Sequence, residues 1–150
     1  RAGTHNVAGI VGMAKAMEVA LSCRQETNDR IQEMASYLVD RICYSIPDAI
    51  LNSDPEHLEH IVHFTFKDVD EKTLIDDLDK AGVVCSSGSA CEASCGKPSH
   101  VISSIRTDVS GANLRVSFGR LNSLPEVKKA ANAIIFAVTN KRFEKTNKKG

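Results

Sequence analysis

The spacing of apolar residues changes period along this chain, and that change limits the folds open to it more than any other feature. Ile10, Ala14, Met17 and Leu21 recur at helical spacing, and so do Ile31, Met34, Leu38 and Ile42 after a polar stretch at 25–29. In Ile61-Val62-His63-Phe64-Thr65-Phe66 the spacing drops to two: Val62, Phe64 and Phe66 share one face, as in a half-buried strand. Leu114, Val116 and Phe118 alternate in the same way with Arg115 and Ser117. This predicts a second strand from which Arg115 projects away from the core.

Local signals divide these segments. Pro47 lacks an N–H and its ring clashes with the preceding turn, so the second helix should stop near 43–45 and an extended segment should follow. Asp70 reads as an N-cap for a helix carrying Leu74, Ile75 and Leu78, which Gly82 ends as a left-handed C-cap. Val83-Val84-Cys85 reads as a short strand. Ser123 and Glu126 form a capping box for a last helix lined by Val127, Ala131, Ile134 and Val138, and the basic tail at 141–149 is expected to fray. The order α, α, β, α, β, loop, β, α, with no tight-hairpin signal, gives an α+β fold with a small mixed or antiparallel sheet and flanking helices. No internal repeat is visible.

With 150 residues, one domain around one core is the default. The 19 basic and 19 acidic side chains cancel, which leaves no field to attract nucleic acid or an anionic membrane. The longest apolar run, 133–138, is too short for a bilayer. The first residue is Arg1 rather than Met and no leader pattern follows, so the sequence is expected to begin inside a longer chain. Five cysteines without regular spacing suit free thiols in a reducing, cytoplasmic setting better than a disulfide framework.

The chemistry concentrates in residues 85–100, a small, polar segment around one thiol, Cys91. A free thiol titrates near ~8.5, so an exposed Cys91 is a few per cent thiolate at neutral pH and still nucleophilic. Glycine and serine leave the backbone free without adding bulk, which suits a thiol that travels between a donor and an acceptor. Taken alone, a single cysteine reads as an ordinary buried thiol.

The surrounding motifs change that reading. Ser86-Ser87-Gly88-Ser89-Ala90-Cys91 resembles the SSGSAC motif of class I cysteine desulfurases of the NifS/IscS type, within the class-V aminotransferases, and Pro98-Ser99-His100-Val101 is similar to their PSHV segment. Arg1-Ala2-Gly3-Thr4-His5-Asn6-Val7 resembles their RSGTxNV segment, and Leu114-Arg115-Val116-Ser117-Phe118-Gly119-Arg120 their LRxSxGR strand. The motifs stand in the family's order and span nearly the whole chain.

The resemblance implies a type I pyridoxal-phosphate fold in a homodimer. Residues 1–25 would be an interdomain segment and helix, and 26–150 the small C-terminal domain with the catalytic-cysteine loop at 86–97. It implies that Cys91 attacks the sulfur of L-cysteine, that L-alanine leaves, and that the persulfide sulfur passes to an iron-sulfur scaffold or a tRNA-thiolation relay. Arg115 would bind the substrate carboxylate through a planar, bidentate guanidinium. Thr4 would reach the cofactor phosphate across the dimer, while a purely local reading makes Thr4 the cap of the helix starting near Val7. Cys91 could also serve as a transient [2Fe-2S] ligand. The cofactor lysine and ring-stacking histidine would lie upstream of Arg1, so the chain alone is expected to be inactive.

Other readings use the same residues differently. Cys95 could resolve a persulfide on Cys91, against the plainer reading of a bystander thiol. Cys85, Cys91, Cys95 and His100 could form a metal module, although they lack the CxxC pairs of zinc sites. A non-catalytic sulfur-carrier or interaction domain of the same fold is the remaining alternative. His57, His60 and His63 are spaced by three, but the alternation around His63 breaks any shared helical face, and His100 suits a short helix start better than a base. With no apolar anchor, the loop is expected to be poorly ordered.

Overall fold

The structure, a computed structural model, describes residues 2–54, 60–88, 100–105 and 110–147. In chain order the elements are α1 (Val7–Ser22), α2 (Arg24–Ser45), β1 (Ile50–Leu51), β2 (Ile61–Phe66), α3 (Glu71–Lys80), α4 (His100–Ile105), β3 (Ala112–Ser117) and α5 (Leu124–Asn147). The three strands form one antiparallel sheet in the order β1-β2-β3. The α+β architecture holds, and the sheet is antiparallel rather than mixed.

One face of the sheet carries the core. Phe64 pairs with Leu51 on one side and Leu114 on the other, and Val62 and Phe66 pair with Val116 and Ala112. Phe64, Phe66 and Leu114 are fully buried, and the rings of Phe64 and Phe66 stack with centroids 5.8 Å apart. Burying each such side chain contributes roughly 1.5–3 kcal/mol. Against this face lie Ile31, Met34, Leu38 and Ile42 of α2, Leu74 and Leu78 of α3, and Val127, Ala131, Ile134 and Val138 of α5, all in one cluster. The helical spacing of α2 and α5 therefore marks their buried stripes. That of α1 marks a helix whose Ile10, Met17 and Leu21 remain exposed.

The helix ends follow the local chemistry. Asp70 caps α3 by accepting from the Thr73 N–H at 3.0 Å. At the other end Gly82, at φ +76, lets its own N–H reach Asp79 O at 2.9 Å and the Val83 N–H reach Leu78 O at 2.8 Å, a Schellman closure. The Ser123 N–H donates to Glu126 Oε2 at 2.8 Å, the capping box of α5. Before β3, Gly111 at φ +153 passes so close to the Phe66 carbonyl that a Cβ there would collide with it.

Three expectations need correction. Val83-Val84-Cys85 is not a strand, and only Ser86 meets the sheet, through an isolated bridge to Arg115. β2 is not half-buried, because His63 and Thr65 on its polar face are buried too, at 9% and 1% exposure. Over its described residues the basic tail does not fray: α5 runs to Asn147, because Lys141 pairs with Asp77 at 2.6 Å, Arg142 with Asp48 at 2.8 Å and Lys145 with Asp68 at 2.7 Å. The expected disorder of the loop concerns positions that lie largely outside the described residues.

Candidate functional site

The sheet face opposite the core carries a row of polar side chains. Pairing sets His63 opposite Arg115 and Arg115 opposite Ser86, while the Asn52 N–H donates to the His63 carbonyl at 2.8 Å. The row thus reads Asn52, His63, Arg115, Ser86 across four neighbouring backbones.

Arg115 sits where the alternation placed it, on the face away from the core, and it is half-buried. Its N–H donates to Ser86 O at 2.6 Å and its carbonyl accepts from the Ser86 N–H at 3.2 Å. The backbone groups of His63 turn the other way, its carbonyl toward Asn52 and its N–H toward Ser53 Oγ at 3.1 Å. His63 and Arg115 are therefore a non-hydrogen-bonded pair, the geometry in which opposing side chains stand closest.

A chain of hydrogen bonds runs along this face. The Glu71 carboxylate accepts at Oε2 from Asn113 N–H (2.9 Å) and Asn113 Nδ2 (3.1 Å), Thr65 Oγ1 donates to Asn113 Oδ1 (2.9 Å), and Asn52 Nδ2 lies 2.7 Å from Thr65 Oγ1 and 3.0 Å from His63 Nδ1. This satisfies Thr65 in its buried position, and it leaves Asn52 Oδ1 buried without a partner. Burial, and after it the Arg115 guanidinium, lower the His63 pKa from its ordinary 6.5, while Glu71 opposes them. Sequence reading missed this network, since it placed His63 only among the three-spaced histidines. The signal was available in the cross-strand pairing of two alternating segments.

Ser86, the first residue of the SSGSAC motif, is bridged to Arg115 of β3. Its Oγ donates to Gly88 O at 2.9 Å and accepts from Gly88 N–H at 3.3 Å. Next to it, burial pushes the Cys85 thiol up to about 11, helped by the charge of Asp79. Cys43 is raised by burial and then by Asp40. Both stay protonated at neutral pH and are poor nucleophiles.

Cys91 and Cys95 lie outside the described residues, as does His57. His100 opens α4, the short helix start expected of it, but its side chain is not among those described. Among the described residues no group of three or more His, Cys, Asp or Glu is placed to hold a metal ion.

Thr4 is exposed in the segment leading to α1. It is not the helix cap, because Asn6 Oδ1 takes that place, accepting from the Gly9 N–H at 3.0 Å. A concavity of about 410 Å³ lined by Asp48, Asp68, Arg142, Lys145 and Thr146 is held together by the ion pairs of α5 and does not include the row.

An antiparallel sheet backed by helices is a fold that this chain shares with solved NifS-like proteins. A NifS-like protein superposes over 93% of this chain and 35% of its own with a TM-score of 0.78 at 25% identity. The cysteine desulfurase CsdA of Escherichia coli, at 20% identity, shares the fold over 93% of this chain and 32% of its own with a TM-score of 0.69. Residues 1–130 match the Aminotransferase class-V family, and the chain belongs to that family. Among its relatives, the putative cysteine desulfurase IscS 1 of Bacillus subtilis is 37% identical over 89% of this chain and 36% of its own length. The IscS-like cysteine desulfurase of Mycobacterium tuberculosis is 36% identical over 95% and 37%. The chain spans about a third of the length of these relatives.

Proposed function

We propose that this chain provides the sulfur-accepting thiol and the substrate-carboxylate site of a cysteine desulfurase that converts L-cysteine to L-alanine and leaves a persulfide on Cys91. The observation that carries the proposal is the bridge between Ser86 and Arg115, which roots the SSGSAC segment beside the arginine proposed to hold the substrate. Residues 1–25 act as the connecting helix and 26–150 as the small domain. This agrees with an α1 that adds nothing to the buried core.

Arg115 fixes the carboxylate of L-cysteine through two parallel charge-assisted hydrogen bonds. The Cys91 thiolate then attacks the substrate sulfur: an S–S bond forms, the C–S bond breaks, and its electron pair is protonated at carbon to give L-alanine. Pyridoxal phosphate, when bound, supplies the electron sink for that pair. Thr4 fits the role of a hydrogen-bond donor to the cofactor phosphate across the dimer, since it is exposed and its hydroxyl is unengaged among the described residues. The lysine for the cofactor and the dimer partner come from outside this chain, which alone is inactive. L-Cysteine is the sulfur donor, and an iron-sulfur scaffold or a tRNA-thiolation relay in the cytoplasm receives the persulfide sulfur, with Cys91 able to bridge to a [2Fe-2S] cargo during delivery. The free Cys23, Cys43 and Cys85 suit such a reducing compartment, and among the described residues no helix is long and apolar enough to cross a membrane.

The reading is tested by Arg115→Ala in the complete enzyme. The KM for L-cysteine should rise about a hundredfold, on the order of the ~2.7 kcal/mol lost with a charged bidentate contact. An unchanged KM would remove Arg115 from the site.

A further inference from the structure

His63 stands beside Arg115 with one ring nitrogen committed and the other free, and the bonds around it determine which nitrogen carries the proton. Glu71 Oε2 can only accept, so Asn113 turns its amide nitrogen toward Glu71 and its Oδ1 toward Thr65. Thr65 spends its single proton on that oxygen, and the Asn52 group 2.7 Å from Thr65 Oγ1 must therefore be a donor, Nδ2. The same Nδ2 lies 3.0 Å from His63 Nδ1, which has to accept. A chain of four hydrogen bonds from the Glu71 carboxylate thus makes Nδ1 the acceptor and places the proton of the neutral imidazole on Nε2. The unpartnered Asn52 Oδ1 follows from the same constraint.

The two nitrogens of an imidazole point in nearly opposite directions. With Nδ1 engaged by Asn52 on the β1 side, Nε2–H is directed away from β1, toward the half of the face that holds Arg115. The guanidinium has no lone pair to offer it. Among the described residues no acceptor meets this N–H. A neutral donor next to a cation, both seeking an acceptor on the same face, is the donor set of a carboxylate site.

We infer that His63 is a second carboxylate-binding residue, its Nε2–H donating to the amino-acid carboxylate that Arg115 holds. The inference rests on the proposed role of Arg115. A neutral donor adds direction without adding charge, so His63 sets how the carboxylate is turned while Arg115 supplies most of the attraction. The ligand class is an α-amino acid, with the third hydrogen bond selecting for a correctly turned carboxylate.

The test compares two substitutions in the complete enzyme. His63→Asn keeps an acceptor near the position of Nδ1 and deletes the Nε2 donor, and it should raise the KM for L-cysteine about tenfold, the worth of one hydrogen bond to a charged group. The kcat should remain within about twofold of wild type, since the contact binds ground and transition states alike. His63→Gln restores an N–H near the position of Nε2 and should recover KM to within about threefold of wild type. An unchanged KM in His63→Asn, or equal impairment in both variants, overturns the inference. Should His63→Asn fail to fold, Asn52→Ala carries the test: releasing the ring from its fixed tautomer raises KM severalfold if His63 is a donor and leaves it unchanged if it is not. Arg115→Ala separates the two levels. A raised KM there with a silent His63→Asn removes only the second donor, whereas an unchanged KM in Arg115→Ala removes the carboxylate site itself.

Discussion

Ser86 and Arg115 exchange both of their backbone hydrogen bonds, at 3.2 Å and 2.6 Å, and so hold the start of the 86–97 segment one strand spacing from the guanidinium-bearing backbone. A thiol carried by a loop explores a volume set by where the loop is tethered, and here one end of the tether is fixed beside the residue proposed to bind the substrate. Ser86→Pro removes the N–H that bonds to the Arg115 carbonyl and loosens that root. We expect persulfide formation in the complete enzyme to slow about tenfold while the KM for L-cysteine changes less than about threefold, measured by single-turnover kinetics. An unaltered rate would show that the bridge does not position the loop.

The thiols are expected to differ sharply in reactivity. Burial pushes Cys85 up to about 11, whereas Cys91 is proposed to be the working nucleophile. At neutral pH, iodoacetamide should modify Cys91 at least about tenfold faster than Cys85, followed by mass analysis of the two peptides. Denaturation should abolish the difference. Faster labelling of Cys85 in the native protein would contradict the burial argument.

Stability should respond to pH through His63. Its folded pKa lies below the ordinary 6.5, so below 6.5 the unfolded chain binds the proton more readily than the folded one. The contribution is present in full above 6.5 and is lost as pH falls from 6.5 toward the folded pKa. The groups facing the ring are Arg115, which lowers that pKa, and Glu71, which raises it. Urea unfolding between pH 7.5 and 5 should show the decline, and His63→Gln should flatten it. Identical slopes in both proteins would exclude His63 as the source.

The end of α5 is fastened by Arg142, which makes two bonds to Asp48 at 2.8 and 2.9 Å and two to the Lys67 carbonyl at 3.1 and 3.0 Å. Asp48 is more than half exposed, so solvent screens the pair, and Arg142→Ala should cost only about 1 kcal/mol. Its bond to Arg142 holds Asp48 below its ordinary 3.8, so the stabilisation is full above 3.8 and disappears as pH falls through the lower folded value. Denaturant midpoints of wild type and Arg142→Ala should therefore differ at pH 7 and converge in acid. A gap that persists at pH 2 would assign the loss to the Lys67 contacts and helix packing instead.

Much of this architecture was legible from near neighbours in sequence. Helical spacing gave α2, α3 and α5, Pro47 gave the end of α2, and Gly82 and the Ser123/Glu126 pair gave two helix ends, because each signal acts within a turn or two. The misses share one cause, which is dependence on distant partners. The tail at 141–147 is basic and polar by itself and becomes fixed through distant partners, among them Asp48 and Asp68, 94 and 77 residues away in the pairs with Arg142 and Lys145. Val83-Val84-Cys85 has the composition of a strand but lacks a neighbour to pair with until Ser86. For the site, alternation was enough to turn Arg115 away from the core. His63 became visible only once the register set it opposite Arg115 and the network to Glu71 filled its surroundings.

The most direct test of the central claim is the mass of the Cys91 peptide from the complete enzyme after a single turnover with L-cysteine, under non-reducing conditions. The account predicts one added sulfur atom on Cys91, removed by a thiol reductant and absent from Cys91→Ser, with one L-alanine formed per sulfur retained. Sulfur found on Cys85 or Cys95 instead, or L-alanine formed at the wild-type rate by Cys91→Ser, would contradict it.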